Sequence, residues 1–151
     1  MKAADMACIF LSLAGQNGEA LTNLKLQKLL YYAQVWHLAV YKKPLFNDKI
    51  EAWAFGPVIR DIYRVYKNCC FLPIKRASDN KKVLSKQQAA FLNKIYETFM
   101  PFTASQLTHM TQLEEPWLKA YRKDKIAVIS QESMKSFYSE MLKKAQGAEN
   151  E

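Results

Sequence analysis

Glycine and proline are scarce in this chain of 151 residues, four and five respectively, which excludes a collagen-like or low-complexity polymer. Cysteine is scarce as well. Cys8, Cys69 and Cys70 are an odd number with two adjacent members, so a disulfide scaffold is not expected and a reducing compartment is. The two histidines, His37 and His109, do not supply the paired ligand spacings that zinc takes, and no metal site is expected. No stretch approaches the ~20 consecutive apolar residues that span a bilayer. The segment from Met6 to Ala14 resembles a signal peptide superficially, but Asp5 and the helical spacing of Met6, Ile9, Phe10 and Leu13 fit a first core helix better, and a cytoplasmic protein is expected. There is no P-loop, Gly-rich dinucleotide fingerprint, G-x-S-x-G or H-E-x-x-H, so neither an enzyme nor a cofactor is expected. His109 with Glu114 and Glu115 is the one candidate acid/base cluster, and a histidine inside a helical Thr-Gln-Leu-Thr-His stretch is read as structural.

Half of the chain is apolar or aromatic, enough for one core at this length. The periodicity predicts a mainly α single bundle of six or seven helices with a short β segment or hairpin, spanning residues 1–146, with a frayed tail over 147–151. A first helix runs from Ala3 to about Ala14. Thr22 caps a second, whose stripe of Leu26, Leu29, Leu30, Ala33, Trp36, Leu38 and Val40 leaves Lys25, Lys28 and Gln34 off the apolar side until Pro44 ends it. Alternation from Ile50 to Phe55 permits a short strand, with Trp53 and Phe55 on one face. Pro57 is then expected as the first residue of a third helix reaching about Asn68, with Val58, Ile62, Val65 and Tyr66 inward. Cys69 to Leu84 reads as an exposed excursion or hairpin. Ser85-x-x-Gln88 and Thr103-x-x-Gln106 have the form of capping boxes, Pro116 restarts a short helix with Trp117 and Tyr121, and a last helix begins near Ser130.

The net charge of +8 is uneven, because Arg60 to Lys94 holds nine Lys/Arg against two Asp. Arg60, Arg64 and Lys67 fall at i, i+4 and i+7, one face of the third helix, and form either a solvated stripe or a footprint for an acidic protein or nucleic acid. Among Tyr31, Tyr32, Trp36, Trp53, Phe55, Tyr63 and Trp117, aromatics can anchor an interface, although most at helical spacing belong to a core.

Three blocks in order carry a family resemblance. They are Leu21-Thr22-Asn23-Leu24-Lys25-Leu26-Gln27-Lys28-Leu29-Leu30-Tyr31-Tyr32-Ala33-Gln34-Val35-Trp36-His37, then Glu51-Ala52-Trp53-Ala54-Phe55-Gly56-Pro57-Val58, then Leu107-Thr108-His109 with Glu115-Pro116-Trp117. Read together they resemble the Panacea antitoxin domain, known also from phage-associated proteins and Soc-type antitoxins. The resemblance implies a mostly helical domain with minor β structure that binds and inhibits a cognate toxin encoded nearby, with delivery of the toxin to a protease as a variant mechanism; the basic charge keeps a nucleic-acid-binding regulator as the alternative. Some relatives carry an added DNA-binding region for which these 151 residues leave no room, so promoter binding is not expected. The expected toxin-contacting set is Lys28, Tyr31, Gln34, Trp53, Phe55, Gly56, Pro57, Arg60, Arg64 and Lys67. Leu26, Leu29, Tyr32, Trp36, His37, Glu51, His109, Pro116 and Trp117 are expected to serve the fold.

Overall fold

The computed structural model describes residues 1–75 and 83–149. Among them are seven α-helices and a small three-stranded antiparallel sheet, the mainly α architecture that the periodicity predicts. Helix α1 (Ala3–Gln16) is started by acceptors for its first amides: Lys2 N–H donates to Asp5 Oδ2 at 3.0 Å, and Ala3 N–H to Asp48 Oδ1 at 2.9 Å. Helix α2 (Asn23–Tyr41) is capped by the Thr22 hydroxyl, which accepts from Lys25 N–H. It stops at Lys42, which turns left-handed at φ 61°, two residues before Pro44.

Helix α2 is the axis of the molecule, packed by α1, α3 (Arg60–Tyr66), α4 (Lys86–Phe99), α5 (Ala104–Leu113), α7 (Gln131–Glu149) and strand β2 (Gly56–Val58). Surrounded on so many sides, it buries its polar residues too. Lys28 and Gln34 are fully enclosed, contrary to the expectation that they lie on an outer face. The apolar stripe marks the most hydrophobic side of the helix, but the burial of the others is tolerated because each finds a hydrogen-bonding partner. Val40, near the end of the stripe, is 48% exposed.

Strand β1 (Ile50–Trp53) is the centre of the sheet, in the order β2-β1-β3. It pairs Glu51 with Val58 and Ala52 with Pro57 on one side, and Ile50 with Ile129 and Ala52 with Ala127 of β3 (Ala127–Ile129) on the other. Pro57 therefore lies in a strand and does not open a helix. It occupies an edge strand, where a residue without an N–H is tolerated. Helix α3 starts three residues later and gives way to a 3₁₀ turn over Lys67–Cys69. Ile62 is buried as expected, but Val65 is 67% exposed, because so short a helix covers only one of its faces. The possible hairpin between Cys69 and Leu84 lies partly outside the described residues.

Both capping boxes form as their sequences require, at Ser85/Gln88 and Thr103/Gln106. Pro116 sits in the first turn of α6 (Glu115–Ala120). Helix α7 continues through Gly147 to Glu149 and packs along α2 through Met134 and Tyr138. At that seam the hydroxyls of Tyr31 and Tyr138 are 3.1 Å apart, and on the α4 side of α2 the Tyr32 ring stacks on Phe99 at 4.3 Å. Such aromatic pairs contribute roughly 0.5–1.5 kcal/mol each beyond their buried area. No helix among the described residues is long and apolar enough to cross a membrane.

Candidate protein-docking face

The β1–β2 hairpin is the point at which the family-like blocks converge. Its chain reverses through Ala54 and Phe55, and Gly56 takes φ +106°, a conformation that side-chain-bearing residues rarely adopt. A Cβ on Gly56 would lie 2.8 Å from Lys28 Cε and 3.1 Å from Thr111 Oγ1. Glycine is thus favoured twice, by the turn and by the close approach of Lys28 and Thr111 beneath it.

Polar side chains hold the hairpin from below by capturing its main chain. The Lys28 amine donates to the Pro57 carbonyl at 3.0 Å, and Gln27 Oε1 accepts from Ile59 N–H at 2.8 Å. Trp117 Nε1–H donates to the Trp53 carbonyl at 2.9 Å, and Gln112 Nε2–H to the Ala54 carbonyl at 2.8 Å. Gln34 performs the same task nearly two turns further along α2, donating to the Phe46 carbonyl and accepting from the amides of Leu45 and Phe46. That fixes the segment leading into β1.

The outer side carries the aromatics. The Trp53 ring meets Phe55 at 5.6 Å and Tyr63 at 5.0 Å, both edge-to-face. Phe55 is 37% exposed, and Trp53 and Tyr63 are half-buried. Glu51 accepts from Trp53 Nε1–H and, in a two-pronged ion pair at 2.9 and 3.0 Å, from the Arg60 guanidinium. The hydrogen bond to Glu51, and then the charge of that carboxylate, raise the Arg60 pKa above its ordinary value. Arg64 and Lys67 are exposed. The three do not form one uniform stripe: Arg60 is matched by a carboxylate, and Lys67 falls beyond the end of α3.

Lys28 is the most unusual electrostatic group. Burial lowers its pKa from 10.5 to about 7; its amine donates to the Pro57 carbonyl and lies 5.8 Å from the centre of the Phe55 ring. A lysine so depressed is a nucleophile where substrate can reach it, but this one has no exposed surface. Nor is the acid/base cluster of His109 assembled. Glu114 accepts from the Tyr32 hydroxyl at 2.6 Å, and Glu115 pairs with Lys119, while His109 is exposed. Desolvation raises the Glu114 pKa and those of Tyr31, Tyr32 and Tyr138, which marks a polar knot inside the core. Among the described residues no His/Cys/Asp/Glu group could hold a metal ion.

A protein-family model described as Antitoxin SocA-like, Panacea domain, matches residues 26–118. The chain belongs to this family. Antitoxin SocA of Caulobacter vibrioides (strain NA1000 / CB15N) is 48% identical over 46 residues, which make up 30% of this chain and 24% of that protein. The matched stretch thus spans about a quarter of the curated relative. No solved structure matches the chain.

In this Panacea domain the expected toxin-contacting residues divide into two groups. Trp53, Phe55, Arg60, Arg64 and Lys67 reach the surface. Lys28, Tyr31, Gln34, Gly56 and Pro57 are buried and cannot touch a partner; they carry the hairpin and the core from behind. The residues expected to be structural are mostly inside. Leu26, Leu29, Tyr32, Pro116 and Trp117 are buried, Trp36 meets Tyr138 edge-to-face, and His37 donates from Nδ1 to the Lys43 carbonyl at 2.7 Å, closing the end of α2. Sequence reasoning missed Gln112 and Thr111 under the hairpin, and the chain from Tyr121 to Ile126 beside it. The signal for the latter was the β-branched pair Val128-Ile129 with Ala127, too short a run to read as a strand.

Proposed function

We propose that this Panacea domain neutralises a protein toxin by holding it on the outer face of the β1–β2 hairpin. Trp53, Phe55 and Tyr63 act as anchors, and the exposed Arg64, next to Tyr63 on α3, supplies positive charge. The observation that carries this reading is an arrangement of contacts: three partly exposed aromatic rings, Trp53 meeting the other two edge-to-face, stand on a hairpin whose main chain is tied down by Lys28, Gln27, Gln112 and Trp117. Rigid aromatic anchors lose little conformational entropy on binding, and such residues dominate interface energetics. Membership of an antitoxin family supplies the class of partner. Inhibition by occupancy needs no catalytic step.

The test is co-expression with a growth-arresting protein encoded beside this chain. Rescue should accompany a complex that co-purifies, with toxin levels in the cell unchanged. Rescue with falling toxin levels would indicate delivery to a protease instead, and rescue without a complex would remove direct binding. Replacing Phe55 and Tyr63 together by Ala should weaken the complex by about tenfold or more while preserving the helical circular-dichroism signal, as expected for central aromatic anchors. Unchanged affinity in that folded variant would move the interface elsewhere.

A further inference from the structure

The ladder between β1 and β3 ends at the Ala52–Ala127 pair. Beyond it the two chains part, and a groove of about 290 Å³ opens between the hairpin tip, Ala52 to Phe55, and the segment from Tyr121 to Ile126. One wall is aromatic. The other carries Arg122, Lys123 and Lys125 against the single acid Asp124, all exposed. Ile126, at 50% exposure, continues the apolar strip, and Val128, at 48%, extends it along β3. Both walls are braced: Trp117 stacks on Tyr121 at 4.6 Å while bonding the Trp53 carbonyl, and Arg122 donates to the carbonyls of Lys119 and Tyr121. Beside β3, on the side away from β1, no further strand lies among the described residues.

Resting on the antitoxin reading, we infer that this groove takes an extended segment of the partner in which acidic residues alternate with apolar ones. The apolar side chains would lie against Trp53, Phe55 and Ile126, and the carboxylates would meet Lys123 and Lys125. Charge complementarity selects this occupant, because the groove's rim is net positive and the nearby carboxylate, Glu51, is already neutralised by Arg60. The groove faces solvent instead of enclosing its contents, which suits a few side chains of a larger partner. Extended segments recognised at a sheet margin draw specificity from alternate side chains.

A labelled decapeptide of alternating Glu and Leu is the direct probe, with a Lys/Leu decapeptide as its charge-reversed control. The full chain should bind the acidic peptide saturably below 1 mM, weaken as salt is raised, and shift the amide resonances of residues 52–55 and 121–126. Lys123→Glu with Lys125→Glu should raise the Kd by roughly tenfold or more, as expected when complementary charges become repulsive. Arg122 is left intact because it braces the wall. The same double variant should also lose affinity for the co-expressed toxin. No saturation below 1 mM, equal binding of the Lys/Leu peptide, or shifts outside the groove would overturn the inference. So would generic DNA or anionic vesicles being retained while the acidic peptide is not, which would make the groove a nucleic-acid or membrane contact. Should the double variant hold the toxin as tightly as wild type while the Phe55/Tyr63 variant does not, the groove fails and the antitoxin reading stands. If no toxin is bound by wild type, it is the antitoxin reading that fails.

Discussion

Beneath the β1–β2 hairpin, Gln27, Lys28, Gln112 and Trp117 spend their polar atoms on the main chain of the same protein; above it, Trp53, Phe55 and Tyr63 touch each other and leave part of their surface free. The two sides lie within one hairpin's thickness of each other, although their residues are at least 25 positions apart in sequence. Their residues nevertheless do different work. The lower side specifies a shape by satisfying buried donors and acceptors, which are costly to leave unpaired. The upper side has no such obligation and is free to vary with a partner. Residues shared across a family can therefore belong to the lower side and say little about contact.

The largest expected effect that separates the two sides comes from Lys28. Its folded pKa of about 7 lies below its ordinary 10.5, so the unfolded chain binds the extra proton between these values and stability rises with pH through that window. At ~1.4 kcal/mol per pH unit, the gap amounts to on the order of 5 kcal/mol, of which about 4 kcal/mol falls between pH 7 and pH 10. Urea titrations at pH 7, 8, 9 and 10 should show wild type gaining stability relative to Lys28→Met, which lacks the titrating group. The window stops at pH 10 because the raised pKa values of Tyr31, Tyr32 and Tyr138 reverse the trend above it: the unfolded chain then loses those protons first. Parallel profiles for the two proteins would mean that water reaches the Lys28 amine.

Next comes Gln34→Leu, which keeps the volume but strands the amides of Leu45 and Phe46 and the carbonyl of Phe46. Buried groups left unpaired cost ~1–3 kcal/mol each, so a loss of roughly 3 kcal/mol is expected in chemical denaturation. A loss below about 1 kcal/mol would make Gln34 an ordinary core position, within the range of most substitutions. Gly56→Ala follows at about 2 kcal/mol, from a backbone conformation that alanine resists and the close approach to Lys28 and Thr111. Phe55→Ala, one residue away on the other side, should move the denaturation midpoint far less. Equal losses at the two positions would erase the distinction between support and surface.

Much of the scaffold was legible because it is written in local chemistry. Thr22, Ser85 and Thr103 announce helix starts through a hydroxyl that accepts an amide hydrogen, and no tertiary information is needed to read them. The site was legible only in part. Trp53 and Phe55 were found through strand alternation, but Lys28 and Gln34 were assigned to the surface because a helical wheel registers polarity and not the number of neighbours around the helix. Pro57 was misplaced for a related reason: a residue without an N–H fits both a helix start and an edge strand, and the pairing of Ala52 with Pro57 decides between them. Strand β3 lies about seventy residues beyond its partner β1, and three residues are too few to show a period.

The smallest expected effects lie on the basic residues of the upper side, and they sharpen the comparison within that side. Arg64 and Lys67 are exposed, so Arg64→Glu with Lys67→Glu should leave the melting temperature nearly unchanged, as surface substitutions away from special features stay within about ±0.5 kcal/mol. Arg60→Glu is a different experiment although it reverses the same kind of charge. It sets a carboxylate against Glu51, whose side chain is 15% exposed, and removes the group that holds Glu51 in position to accept from the Trp53 indole. Thermal unfolding should therefore rank Arg60→Glu below the Arg64/Lys67 variant, and the indole fluorescence of Arg60→Glu should shift as Trp53 loses its acceptor in place. If Arg64 borders the bound toxin, the Arg64/Lys67 variant should still slow association, and this difference should shrink as salt is raised. Identical stability in both variants would show that the Glu51–Arg60 pair contributes nothing to the fold, returning Arg60 to the same solvated stripe as its neighbours.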